Sequence, residues 1–293
     1  MLKIKKLFRE TNLTWSKIII FAIVAGVYTG IIALLPFVKD TSFADISISP
    51  ERWILFGIFI ILNSKSPLDS GLKCFVFFLI SQPLVYLVQV PFYEGGWLIF
   101  TYYKYWFKMT LCTFPMGFIG YYIKKDKWWG LLVLTPMMGI VGFYYAGFLS
   151  NVITYFPYYL LSTVFCAVTV LLYPAVAFEN KNIKRVGLLI AVVILAAASV
   201  AGVIYKHEFY STDILPSSES GEVFFDDSYT ASLENEAYGK VSIVYSDKLD
   251  SYKIHADFKR LGTTKLILRS PEGKDTVYNL TIKKDTYELT PVE

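Results

Sequence analysis

Ser47-Ile-Ser-Pro-Glu-Arg-Trp-Ile-Leu-Phe-Gly-Ile-Phe-Ile-Ile-Leu62 is the stretch on which the fold turns. A helix needs about 20 residues to cross roughly 30 Å of hydrocarbon. Only Trp53 to Leu62 is strongly apolar, so this run is marginal. Six other apolar runs meet the length: 18–38, 71–90, 97–123, 128–148, 158–178 and 186–205. If 47–62 also crosses, there are seven spans. If it does not, every later loop changes side.

Loop charge decides the matter. With seven spans and a cytoplasmic N-terminus, one side collects Lys3, Lys5, Lys6, Arg9 and Lys17, then Lys65 and Lys73, then Lys124, Lys125 and Lys127, then Lys181, Lys184 and Arg185. The other side holds only Lys39 and Arg52 before residue 206. That is the positive-inside pattern of cytoplasmic loops. Lys124, Lys125 and Lys127 would face outward if 47–62 stayed on one side, so it is read as a span. The run 18–38 is longer than the apolar core of a signal peptide and no A-x-A site follows it, so it is read as a retained helix.

Composition agrees with this reading. Hydrophobic residues make up 55% of the 293 and charged residues 18%, against about 25% in soluble domains. Residues 1–206 carry 18 Lys/Arg against 8 Asp/Glu, whereas 207–293 carry 10 against 16. Opposite charge in the two parts marks two domains. The base in the first part belongs to topology, and no basic stripe suggests nucleic acid.

From Glu208 the apolar period changes to two. Tyr252, Ile254, Ala256 and Phe258 face one way, and Lys253, His255 and Asp257 the other, as in a half-buried strand. Similar runs are 222–226, 228–233, 240–246, 263–269, 275–283 and 285–290, with a Ser270-Pro-Glu-Gly273 turn between two of them. About seven short strands indicate a small β-sandwich. The expected organisation is a basic segment 1–17, an α-helical polytopic membrane bundle over 18–206, a linker 207–221 and an all-β sandwich 222–293. The Gly-Thr-Thr-Lys-Leu-Ile-Leu run, the Pro-Glu-Gly turn and the Tyr-Asn-Leu-Thr-Ile strand resemble bacterial immunoglobulin-like repeats over roughly 50 residues. The resemblance implies a fold and no function. A bacterial plasma membrane is the expected location, and loop charge places the β-domain on the extracytoplasmic side.

Catalytic motifs are missing from the sequence: there is no GxxxxGK[ST], HExxH or GxSxG. Cys74, Cys112 and Cys166 lie in apolar runs without metal spacing, and His207 and His255 are the only histidines. No cofactor, metal or enzymatic activity is expected. Glu51 and Glu94 read as lying at span edges, which argues against a buried carboxylate relay.

Polar residues at helical spacing mark a hypothetical pocket. Gln82, Tyr86 and Gln89 share a face in the third span, and Tyr159 and Ser162 continue onto Cys166 and Thr169 in the sixth. Lys104 and Lys108 are one turn apart in the fourth, where they would attract an anionic group or snorkel to the interface. Polar side chains between membrane helices also serve as glue, worth about 0.6 kcal/mol per contact. Ala22, Gly26 and Gly30 give the first span a small-residue face for close helix packing, expected within the bundle.

Two functions follow as expectations. One is a non-enzymatic envelope protein that binds or organises an extracytoplasmic protein or wall polymer through its β-domain. The other is the substrate-binding membrane subunit of a transporter with a separate ATPase partner and an outward pocket for an anionic small molecule or lipid headgroup. A bundle of about six spans with a small-residue first helix resembles the substrate-capture subunits of energy-coupling-factor vitamin transporters. The extra span and the β-domain depart from that pattern.

Overall fold

The computed structural model describes residues 2–38, 41–204, 211–218, 221–222, 225–246, 250–283 and 286–292. Lys39 and His207 lie outside these, as do parts of the expected linker and of the expected strands 222–226 and 285–290. The chain divides into two compact units, residues 1–152 with 157–204 and residues 153–156 with 205–293.

The described residues form nine α-helices: α1 (Leu2–Glu10), α2 (Trp15–Leu34), α3 (Ser42–Ile48), α4 (Pro50–Leu62), α5 (Pro67–Gln89), α6 (Phe100–Gly120), α7 (Trp128–Tyr155), α8 (Leu160–Ala177) and α9 (Lys181–Ile204). Five helices, α2, α5, α7, α8 and α9, are long and apolar enough to cross a membrane. α6 has the length, but its tyrosines and lysines dilute its apolar character. The helices keep large apolar side chains on their outer faces, among them Ile20, Val24, Leu132, Phe143, Leu189 and Val193. A water-soluble surface rarely carries so much contiguous apolar area.

The run expected as the second span is two helices. Ser49 between them is extended, at φ −74° and ψ 153°. Pro50 imposes this, because its ring clashes with a helical preceding residue and it fits the first position of a new helix. α4 has 13 residues, about 20 Å at 1.5 Å per residue, so it needs α3 to complete a crossing. The basic N-terminal segment 1–17 contains α1.

Several tails and turns meet at one end of the helical unit. Asn63 Nδ2 donates to the Phe8 carbonyl at 2.7 Å, Lys124 Nζ to that of Ser64 at 2.6 Å, and Tyr121 Oη to that of Lys65 at 2.8 Å. The Asp126 carboxylate accepts the backbone N–H groups of Glu179 and Asn180, and Arg9 pairs with Glu179 at 2.6 Å. The cation-bearing segments 1–17, 63–66, 121–127 and 178–185 are thereby drawn together.

Small residues set the tightest packing. α2 lies along α5 with Gly26 against Ser81 and Gly30 against Val85 and Val88. α5 lies along α6 with Gly71 against Phe114 and Gly117 against Cys74, and Ser70 Oγ donates to the Gly117 carbonyl at 2.8 Å. A second core joins α4, α7, α8 and α9 around Leu134, Met138, Val170 and Tyr173.

The C-terminal unit is antiparallel throughout. Its strands are β1 (Ser211–Ile214), β2 (Ser217–Ser218), β3 (Gly221–Glu222), β4 (Thr230–Leu233), β5 (Gly239–Ser246), β6 (Ser251–Phe258), β7 (Gly262–Arg269), β8 (Asp275–Ile282) and β9 (Tyr287–Pro291). The two main sheets run β1-β6-β5 and β4-β7-β8-β9, and β2 and β3 form a two-residue ladder. Ile254, Ala256 and Phe258 of one sheet and Leu266, Leu268, Leu280 and Ile282 of the other are buried in one core. Gly273 takes φ 81° in the β7–β8 turn, a conformation natural to glycine. The stretch expected as a linker contains β1, whose Ile214 is buried in that core.

A Cβ at Gly26 would stand 2.5 Å from the Ser81 carbonyl oxygen, whereas one at Gly139 would meet nothing within 4 Å. Gly26→Leu is expected to cost about 1–3 kcal/mol by overpacking. Gly139→Ala should be close to neutral. The folded fraction across a detergent-unfolding titration measures both.

Candidate functional site

α6 packs along α5, but no comparable face joins it to α7. The gap leaves a cavity of about 450 Å³ walled by α4, α5, α6 and α7. This lies in the usual range for a small-molecule site. Ile61, Cys74, Gly117 and Met137 line it toward the end where the basic segments meet. Ser49, Gln82, Tyr105, Trp106 and Tyr144 line it toward the other end. Tyr105, Met109, Met116 and Ile140 belong to the wall and are also exposed, so the cavity opens sideways between α6 and α7.

The chemistry is graded along the cavity. Thr110 and Thr113 spend their hydroxyls on carbonyls of their own helix, those of Trp106 and Thr110. Gln82 differs: it is 5% exposed, and its amide makes no hydrogen bond among the described residues. A buried amide without a partner costs about 1–3 kcal/mol. Here the amide borders the cavity, where a ligand can satisfy it.

The other expected pocket residues are dispersed. Lys104 and Lys108 are exposed on the outward face of α6 and do not line the cavity. Tyr86 packs its ring against Phe100 and Tyr103. Gln89 donates to the Val85 carbonyl on its own helix at 2.7 Å. Tyr159 takes φ 64° ahead of α8, with its ring stacked near Phe148. Ser162 is buried and donates to Asp45 of α3 at 3.3 Å. The aromatic stretch 92–107 leaves Phe92, Trp97, Tyr102 and Tyr105 exposed.

Glu51, expected at a span edge, and Arg52, expected in an outer loop, are inside. Glu51 is 0% exposed and Arg52 7%. Ser49 Oγ contacts a Glu51 carboxyl oxygen, while Oε2 of the same carboxyl has no partner. Arg52 donates to Thr29 Oγ1 of α2, and its guanidinium lies 5.1–5.4 Å from the ring centroids of Tyr28, Trp53 and Phe56. Hydropathy could not reveal this. A Glu-Arg pair beside Pro resembles a loop end unless the chain doubles back as α3.

In the β unit, His255 is half exposed between Asp213 at 2.9 Å and Asp257 at 3.5 Å. These contacts form a solvated charge cluster on the outer face of the β1-β6-β5 sheet. Comparison of the chain with protein-family models, curated proteins and solved structures finds no match.

Hydrogen bonds from Lys253 and then His255 hold the Asp213 carboxyl below its ordinary value of 3.8. A depressed carboxylate stabilises the fold above its unfolded value and loses that contribution as pH falls through the folded one. Asp213→Asn should therefore lower the thermal midpoint of the β unit at pH 7 by an amount worth less than about 1 kcal/mol, given its exposure. The difference from the parent should close in acid below the ordinary carboxylate range. Thermal scans across pH measure it.

Proposed function

We propose that the chain is a multi-pass plasma-membrane protein, of bacterial type, that takes an amphipathic, lipid-like molecule from the bilayer into the cavity between α6 and α7. The buried, unpaired Gln82 amide at one end of an otherwise apolar, side-opening cavity carries this reading. A molecule with an apolar chain and a hydrogen-bonding head fits that gradient. The chain enters beside Met109, Met116 and Met137, whose flexible thioethers adapt to irregular shapes. The head meets Gln82, Ser49 and Tyr144. Because Lys104 and Lys108 face away, hydrogen bonding and not a lysine pair selects the head.

The second part of the proposal concerns sidedness and the β unit. Seven crossings, the second of them made by α3 with α4, put the basic segments in the cytoplasm and residues 205–293 outside. The β unit is then an immunoglobulin-like module that meets an extracytoplasmic protein or wall polymer. Transport, in this scheme, requires a separate ATPase, since the chain has no nucleotide motif.

Native mass spectrometry of the purified protein tests the cavity. The parent should retain an amphiphile through mild detergent. Gly57 lines the cavity and has no atom within 4 Å of an added Cβ, so Gly57→Leu fills the space and should displace the ligand without unfolding. Gln82→Leu should weaken retention by about tenfold, the value of one hydrogen bond. Equal occupancy in all three proteins would sink the reading.

Sidedness is checked by thiol labelling in intact cells, with the exposed Cys112 replaced by Ser. Ser246→Cys should react with a membrane-impermeant reagent and Asp126→Cys should not. The reverse result inverts the topology.

A further inference from the structure

We propose that Glu51 is a proton-binding site: its carboxyl is neutral in the folded protein and donates its hydrogen to Ser49. The argument is a count of hydrogens. Ser49 Oγ is within hydrogen-bonding distance of two oxygens, the Asp45 carbonyl and Glu51 Oε1. A serine hydroxyl has one hydrogen to give. With an ionised Glu51, both neighbours are acceptors and one contact sets lone pair against lone pair. A neutral Glu51 supplies the missing hydrogen, giving a chain from the Glu51 carboxyl to Ser49 Oγ and from Ser49 to the Asp45 carbonyl.

Burial points the same way. Glu51 has no exposed surface, and Oε2 has no partner. An isolated ionised carboxylate in such a place is strongly disfavoured. The ion pairs among the described residues of the helical unit are Lys6–Glu10, Arg9–Glu179 and Lys73–Asp69, and Glu51 is in none of them. Arg52, the next residue, is within electrostatic reach of Glu51 but makes no hydrogen bond or ion pair with it: it lies about 100° further round the helix and donates to Thr29 among three aromatic rings.

Among the described residues, the other charged and titratable neighbours supply no cation. α3 brings Asp45, α7 brings Tyr144, and α8 brings Cys166 and Tyr173, all within electrostatic reach of Glu51. Tyr28 of α2 faces Arg52. On α5, Lys73 is held by Asp69 one turn away, toward the cytoplasmic-type end. Lys104 and Lys108 of α6 face outward, and α1 meets the far end of α4.

The proton therefore sits at the joint between α3 and α4. It ties Glu51 of one helix to Ser49 at the break, and Ser49 in turn to Asp45 of the other. Losing it removes one hydrogen bond from the joint and leaves a buried charge there. Occupancy by a proton thus sets whether the two halves of the crossing stay locked. Ser49 and Pro50 also wall the cavity, yet the assignment of the proton stands whether or not the cavity holds a ligand.

Infrared spectroscopy of the whole protein in an ester-free detergent at neutral pH tests the proposal. The parent should show the carbonyl stretch of a protonated carboxylic acid. The band should shift when glutamate alone carries carbon-13 and vanish in Glu51→Gln. The glutamine keeps a neutral N–H donor toward Ser49 and should fold. The labelling arm needs only the parent protein, since Glu10, Glu94 and Glu179, the other glutamates of the helical unit, are exposed. No protonated-acid band, a band that moves with labelled aspartate, or one that survives Glu51→Gln would overturn the assignment.

Discussion

Pro50 has no N–H to offer a helix and forces Ser49 into the extended region, and the interior of the helical unit depends on that one constraint. A continuous helix over 42–62 would rotate Glu51 and Arg52 by the ordinary 100° step, with no bend to carry them inward. The break lets α4 restart with its first turn tucked between α2, α3 and α8. Two ionisable side chains are then buried on opposite flanks of the same turn.

Packing elsewhere explains why the cavity lies where it does. α2, α5 and α6 approach to backbone contact through Gly26, Gly30, Gly71 and Gly117. α7, α8 and α9 build a separate core, with Gly142 and Gly202 admitting α9 to α7. α4 is common to both halves, but at 13 residues it cannot fill the seam between α6 and α7. Aromatic and methionine side chains border the remaining space. The cavity is thus a consequence of two tight sub-bundles sharing one short helix.

The legible part of this structure was what periodicity and charge encode. The apolar runs contain the long helices, because a helix that is buried or apolar all round shows in composition; their ends were less legible, since α7 runs on to Tyr155, α9 begins at Lys181 and the run 47–62 is broken at Ser49. The basic loops came together at one end. The alternation from Tyr252 to Phe258 became β6, with Ile254, Ala256 and Phe258 buried as the period requires. Helix rotation was not legible. Lys104 and Lys108 sit among aromatics on every side of α6, so composition does not say which face turns inward. Nor was Glu51, whose burial depends on where α3 folds back, a tertiary event. β1 was hidden for a different reason: four residues next to Ser and Pro give too short an alternation to distinguish strand from linker.

The two units solve opposite solvation problems with the same rule, that a buried polar group needs a partner. In the β unit the sheets satisfy their own backbones, and the charged residues around Asp213 stay at the surface, where water shares the cost. In the helical unit there is no such recourse. Thr29, Thr110, Thr135 and Ser199 each return a hydroxyl to a carbonyl one turn back on the same helix, and Ser64, just past the end of α4, returns its own to Ile60. That habit leaves very few polar atoms uncommitted. The exceptions among the described residues of the helical unit are Glu51 Oε2, Arg52 Nε, Asn63 Oδ1, Ser81 Oγ and Tyr173 Oη, which are buried without a hydrogen-bond partner. Three of these atoms, on Glu51, Arg52 and Asn63, belong to α4 or to its C-cap, so the short helix that restarts at Pro50 carries most of the unmet polar burial of the helical unit.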